Sequence, residues 1–267
     1  WSLAAFATAA TIVGGCGDSR LFDERGISVG YRTGTAEDGY LSNGERGTVM
    51  ITEVMFSGSV EQVGDGFVHD PDDVFIELRN QHSRPLHLTG WQLIVSVGDD
   101  TIGAYDGGQT FGGRGHWYAT YVIPPRENGQ PLLTNEYVVI AARRDGAFAS
   151  ADYFIPELRI PADRFEITLI DLDKRLIEGA GNDSESTFAG GYDGVTSRSM
   201  ERVQLIFSNR GGRNTNWHAY SLNTWDGDPH AVLRARISPE FASRTYASPG
   251  QPNSPDYSGN TSAGSDD

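Results

Sequence analysis

A single cysteine, Cys16, stands in 267 residues, so the chain can form no internal disulfide and packing alone must hold its fold. Positive charge is scarce. The 21 Lys and Arg face 36 Asp and Glu, and the formal net charge of −15 repels phosphate backbones and anionic surfaces, which argues against nucleic-acid binding. After Cys16 no apolar run is long enough to span a bilayer. Familiar hydrolase signatures are missing: there is no Gly-x-Ser-x-Gly elbow, no phosphate-cradling Gly-x-x-x-x-Gly-Lys-Ser/Thr and no His-Glu-x-x-His. His69, His82, His87, His116, His218 and His230 form no pair at metal-ligand spacing and read as surface or loop residues. Gly112-Gly113-Arg114-Gly115 has no strand–helix context for a nucleotide and reads as a flexible turn. There is no internal repeat.

What is present begins at the amino end. Residues 1–15 carry no charge and run through Leu3, Phe6, Ile12 and Val13 to Gly14-Gly15, as the apolar part of an export signal does. The sequence starts at Trp1, with no Lys or Arg before Arg20, so the signal reads as truncated. Ile12-Val13-Gly14-Gly15-Cys16 resembles a bacterial lipobox. That resemblance implies diacylglyceryl transfer to the Cys16 thiol, cleavage before it and acylation of the new amino end. Each buried methylene then adds about 0.8 kcal/mol of anchoring, and two or three chains hold where one does not. Ala7-Thr8-Ala9 also fits an ordinary secretory cleavage site, which would leave Cys16 as a free thiol.

Residues 16–47 read as the lipidated Cys and a tether: charges mix with Gly26, Gly30, Gly34, Gly39 and Gly44, and no apolar period persists beyond a short strand around Ile27–Tyr31. One domain, 48–253, follows, and 254–267 has almost nothing to bury and reads as a frayed tail. With 33 Gly and 12 Pro the domain is rich in turns, and 12 Phe, 11 Tyr and 5 Trp supply its core. Strands are expected at Val49–Phe56, Val74–Asn80, Trp91–Val97, Trp117–Ile123, Glu136–Ala141, Phe165–Leu169 and Val203–Phe207. Trp91, Leu93, Val95 and Val97 alternate with Gln92, Ile94 and Ser96, which gives one buried face, and the fifth strand is apolar on both sides and so central. Ala141–Ser150 or Asp228–Arg236 could hold a helical turn or two. The pattern predicts an all-β fold, a sandwich or barrel.

Phe75-Ile76-Glu77-Leu78-Arg79-Asn80 followed by Leu86-His87-Leu88-Thr89-Gly90-Trp91-Gln92-Leu93 resembles the lamin tail domain, an immunoglobulin-like module. Further pieces agree in order: Ile51–Met55, Leu133 through Tyr137–Ile140, Ser199–Val203, Asn216-Trp217 and Ser248–Asn253. The resemblance covers about 48–253 and implies an immunoglobulin-like β-sandwich with loop insertions at Ser57–Pro71, Gly98–His116, Arg143–Pro161, Gly179–Arg198 and Ser221–Tyr246. Loops carry function more often than cores, so ligand specificity is expected in those insertions.

Residue roles follow from chemistry. Trp91 is a core anchor, Asn80 bonds back to its own turn, and Pro249-Gly250 ends the last strand. Glu53 and Glu77 interrupt apolar strands; they are expected on the solvent face, the alternative being a buried carboxylate paired with Arg202 or Arg79. Asp70, Asp72 and Asp73 in one loop, and Asn223, Asp226 and Asp228 in another, offer hard oxygens of the kind calcium takes, though neither matches an EF-hand. Trp117, Tyr118 and Tyr121 read as edge or core packing, or as an aromatic platform for sugar. The expected function is a lipid-anchored, non-catalytic binding, adhesion or scaffold module of a bacterial cell envelope, at the outer membrane or cell surface. Its partners would be the membrane and a protein or cell-surface glycan; no resident cofactor is expected, calcium apart. The alternative is a metal-assisted (calcium-type) hydrolase or carbohydrate-active protein built from the inserted loops.

Overall fold

A computed structural model of the chain describes residues 47–97, 109–111, 116–203, 211–221 and 229–255. The leader, Cys16, the tether, Asn223, Asp226, Asp228, Gly112–Gly115 and all but the first residue of the expected strand Val203–Phe207 lie outside them.

The described residues are mostly β, in several antiparallel sheets with almost no helix. The strands are β1 (Val49–Met55), β2 (Ser59–Val63), β3 (Gly66–Asp70), β4 (Phe75–Asn80), β5 (Gln92–Val97), β6 (Gln109–Phe111), β7 (His116–Val122) and β8 (Tyr137–Ala141). They continue with β9 (Tyr153–Phe154), β10 (Glu166–Ile170), β11 (Leu176–Gly181), β12 (Gly191–Tyr192), β13 (Ser197–Arg198), β14 (Met200–Arg202), β15 (Trp217–Ala219) and β16 (Thr245–Tyr246). The one α-helix among the described residues, α1 (Pro229–Leu233), is a single short turn that begins on Pro229, where a missing N–H costs no helical bond. Ala141–Ser150, the other stretch expected to turn helically, makes turns and no helix.

One sheet runs β15-β14-β1-β4-β8-β9 and a second runs β11-β10-β5-β7-β6. Alternation along each strand makes their facing sides apolar. Ile51, Ile76, Leu78, Val138 and Ile140 of the first sheet share one core with Leu93, Val95, Ile167 and Leu169 of the second, and Trp91 and Trp217 are buried in it. Arg202 is buried too: its Nη2 donates to Glu178 Oε1 of β11 at 3.0 Å and its guanidinium lies over the Trp217 ring. Asn80 behaves as its position implies, accepting from His82 N at 2.8 Å and donating to Arg84 O at 2.9 Å. Gly90 takes φ +82°, the turn that leads into Trp91.

The expected strand at 136–141 lies inside its sheet, between β4 and the two-residue β9. It is apolar on both sides because the first sheet is covered on both faces. On the outer face Met55, Phe75, Val139 and Ala141 pack against Ala147, Phe148, Ile237, Phe241 and Ala247, all but the last from two of the inserted segments. That outer layer is what the strand pattern alone does not reveal.

Candidate functional site: a glutamate row under the closing segment

The register of the first sheet sets side chains from five strands in one line. His218 pairs with Glu201, Glu201 with Glu53, Glu53 with Glu77, and Glu77 with Val139. Strict alternation from Val49 and Ile51 would turn Glu53 into the shared core. The register shifts between Ile51 and Glu53, and this bulge rephases β1, so that Val54 rejoins the core and Glu53 faces the other way.

Glu53, Glu77 and Glu201 are each 0% exposed. This overturns the solvent-face expectation for Glu53 and Glu77, and neither takes the arginine partner considered for it. Arg202 bonds Glu178 on the opposite face, while Arg79 Nη2 donates to Asn135 Oδ1 at 3.2 Å and stacks over Tyr137. The carboxylates are met instead by the closing segment 248–254. Ser248 N donates to Glu53 Oε1 (2.8 Å), Ser248 Oγ lies 2.5 Å from Glu201 Oε1 and 3.3 Å from Glu53 Oε2, and Gly250 N donates to Glu77 Oε2 (2.6 Å). Ser254 donates both its N–H (3.1 Å) and its hydroxyl to Glu201 Oε2. Within the sheet, Thr52 Oγ1 donates to Glu77 Oε1 at 2.6 Å. Asn253 Nδ2 ties the segment down by donating to the carbonyls of Thr52 and Arg202, both at 2.9 Å. Ser254, assigned by its composition to a tail with nothing to bury, is therefore part of the domain.

Three carboxylates side by side in a dry layer cannot all carry charge cheaply. Burial, then the charges of Glu201 and Glu77, hold the Glu53 carboxyl well above the ordinary range. Burial pushes Glu77 up to about 8, against the donors Thr52 and Gly250, and burial raises Glu201 against the pull of His218 and the two serines. His218 donates through Nδ1 to Ala219 O at 2.9 Å and places Nε2 3.8 Å from Glu201 Oε2. Over the other end of the row sits Arg236, held by Asp152 at 3.1 Å. Gly250 lies against its guanidinium at φ +74°, where a Cβ would collide with it.

A second feature lies where three inserted segments meet. A cleft of about 220 Å³ is lined by Glu61, His69 and Asp70, by Arg143 and Asp145, and by Phe241, from the first, third and fifth insertions. Three of its charges are engaged with one another. Arg143 pairs with Asp70 and, at 3.2 Å, with Asp145; His69 bonds Ser57 O at 2.6 Å and stacks on Tyr192. The calcium expectation for Asp70, Asp72 and Asp73 finds three carboxylates with three different partners. Asp70 goes to Arg143 and Asp72 to Arg159 (3.2 Å), while Asp73 accepts from Ser59 Oγ (2.6 Å) and Ala147 N (2.7 Å). Burial raises the Asp73 carboxyl above its usual range. Among the described residues no group of three His, Cys, Asp or Glu is arranged to hold a metal ion.

Tyr121 of the aromatic trio is buried, with its hydroxyl accepting from Arg159 N at 3.1 Å; the side chains of Trp117 and Tyr118 lie outside the described residues. His82 accepts from Arg84 N through Nδ1, and partial burial lowers His87. Sequence reasoning singled out Glu53 and Glu77 as anomalies but missed Glu201, Ser248 and Ser254. The available signal was the carboxylate recurring inside a third apolar strand, Met200-Glu201-Arg202. No protein-family model matches the chain, and no curated protein matches it.

Proposed function

We propose that this chain is a lipid-anchored, non-catalytic module of a bacterial cell envelope, in which an immunoglobulin-like β-sandwich of the lamin-tail type binds a protein or glycan through its inserted loops. The observation that supports the binding role is the meeting of three insertions at one cleft while the strands beneath form a closed core. The six segments that carry the lamin-tail resemblance fall on β1, β4 with β5, β8, β14, β15 and the closing segment, which supports reading the stretches between them as insertions. Anchoring rests on the lipobox-like run ending at Cys16.

The convergence of His69, Asp70, Arg143 and Asp145 is also what a hydrolase built from insertions would require. Against that second reading, Arg143 pairs with both Asp70 and Asp145, and His69 is tied to a backbone carbonyl.

Two measurements test the proposal. Cys16→Ser is expected to move the protein from the membrane to the soluble fraction with its β-sheet circular dichroism unchanged; continued fractionation with lipid refutes the anchor. A photo-crosslinker at Val68, which lines the cleft and is 55% exposed, is expected to trap a partner in native envelopes that the same group at exposed Thr120 of β7 does not. Identical products from both positions would remove the cleft from the binding role.

A further inference from the structure

We propose that the closing segment 248–254 is a proton-linked strap: its docking on the glutamate row takes up a proton, and loss of that proton as pH rises releases it. The hydrogen-bond inventory carries this. Ser248 Oγ has one hydrogen and faces two carboxylate oxygens, Glu201 Oε1 at 2.5 Å and Glu53 Oε2 at 3.3 Å. It satisfies both only by donating to one and accepting from the other, which requires a carboxyl proton on the row. With that proton on Glu53 Oε2, a chain runs from Glu53 through the Ser248 hydroxyl to Glu201, and Glu53 Oε1 still accepts from Ser248 N.

The groups around the row set the direction. Along the sheet lie Glu201, Glu53 and Glu77, with His218 at one end on β15. Arg236 reaches over Gly250 towards Glu77 from the segment after α1, with Asp152 behind it. Arg79 shares the outer face of β4 with Glu77 but is turned onto Tyr137 and Asn135. Arg236 and a charged His218 can offset part of the row's negative charge but stand at its two ends; Glu53, in the middle, has carboxylates on both sides and no cation beside it. The middle carboxyl is therefore the one that keeps the proton. When it ionises, the dry row holds adjacent negative charges, and water reaches them only if the strap lifts. Apart from Thr52 and Ser199, the donors that meet the row all come from the strap, five of them, so it opens as one unit.

The test is amide hydrogen exchange of Ser248, Gly250 and Ser254 between about pH 6 and pH 9, corrected for intrinsic exchange, in wild type and Glu53→Gln. Glutamine keeps an acceptor for Ser248 N and offers an N–H to Ser248 Oγ without charge. In wild type, protection of the strap is expected to fall by up to about tenfold per pH unit once the proton is lost, while the amides of β5 and β10 stay protected. In Glu53→Gln the strap is expected to stay closed across the range. Carbon NMR of the glutamate carboxyls should show one of the row still protonated at neutral pH, a readout that stands on wild type alone if the variant does not fold. Strap protection independent of pH, the same pH dependence in Glu53→Gln, or three ionised carboxylates at neutral pH each overturn the proposal.

Discussion

Ser248 carries more of the outer layer than its size implies. Its amide and hydroxyl reach two of the three buried carboxylates, and only the hydroxyl touches both. Ser248→Ala keeps the amide bond but leaves Glu201 Oε1 without its donor and the Glu53 carboxyl proton without its acceptor, at two side chains that are 0% exposed. A buried acceptor stripped of its partner costs about 1–3 kcal/mol. Urea unfolding at neutral pH should show that loss in the midpoint with the slope unchanged; a midpoint equal to wild type would mean that the hydroxyl is not the donor. The anomaly was half legible. Glu53 and Glu77 stand out as carboxylates inside apolar strands, and their expected exposure followed from the cost of burying charge. That cost is met differently here: by raised proton affinity and by donors from a Ser-Pro-Gly-Gln-Pro-Asn-Ser run whose composition resembles a turn and tail.

At the scale of the element, the strap and the bulge in β1 depend on each other. The bulge turns Glu53 outward, and the strap then covers what the bulge exposes. The strap's path needs Gly250 at φ +74° against the Arg236 guanidinium, which is itself held by Asp152. Gly250→Ala introduces a left-handed strain of about 1–2 kcal/mol and a collision with Arg236. Thermal unfolding should record a drop of about 2–4 °C for each kcal/mol lost. Of the sixteen described strands β1, β4, β5, β7, β8 and β10 were readable; β5 and β10, for example, each bury every second residue, and that period is local. What covers a strand was not: the apolar outer side of β8 belongs to a second cluster built by residues 147–148 and 237–247.

For the whole molecule the buried row sets the sign of the pH response. Glu77 is at about 8 in the folded chain against 4.5 for an ordinary glutamate, and Glu53 and Glu201 are displaced in the same direction. Between those values the folded chain holds protons that the unfolded chain has released. The stabilisation is fully present below about pH 4.5, falls as pH rises, and is gone once pH passes the folded values, at about 1.4 kcal/mol per pH unit for each proton. The urea midpoint is therefore expected to be lower at about pH 8.5 than at about pH 5.5. A midpoint that rises over this interval would show that the row is ionised in the native state and stabilised by its donors.

The amino-acid sequence by itself determined the β class, six of the sixteen described strands (β1, β4, β5, β7, β8 and β10) and the Trp91 anchor, because alternation of apolar side chains acts over neighbouring residues. Only the tertiary structure decided that the first sheet has no solvent face. Whether a carboxylate in a strand meets water depends on what covers it, and the cover of Glu53 comes from Ser248, 195 residues along the chain. Periodicity assigns a residue to one of two faces; packing between distant segments decides whether that face is wet.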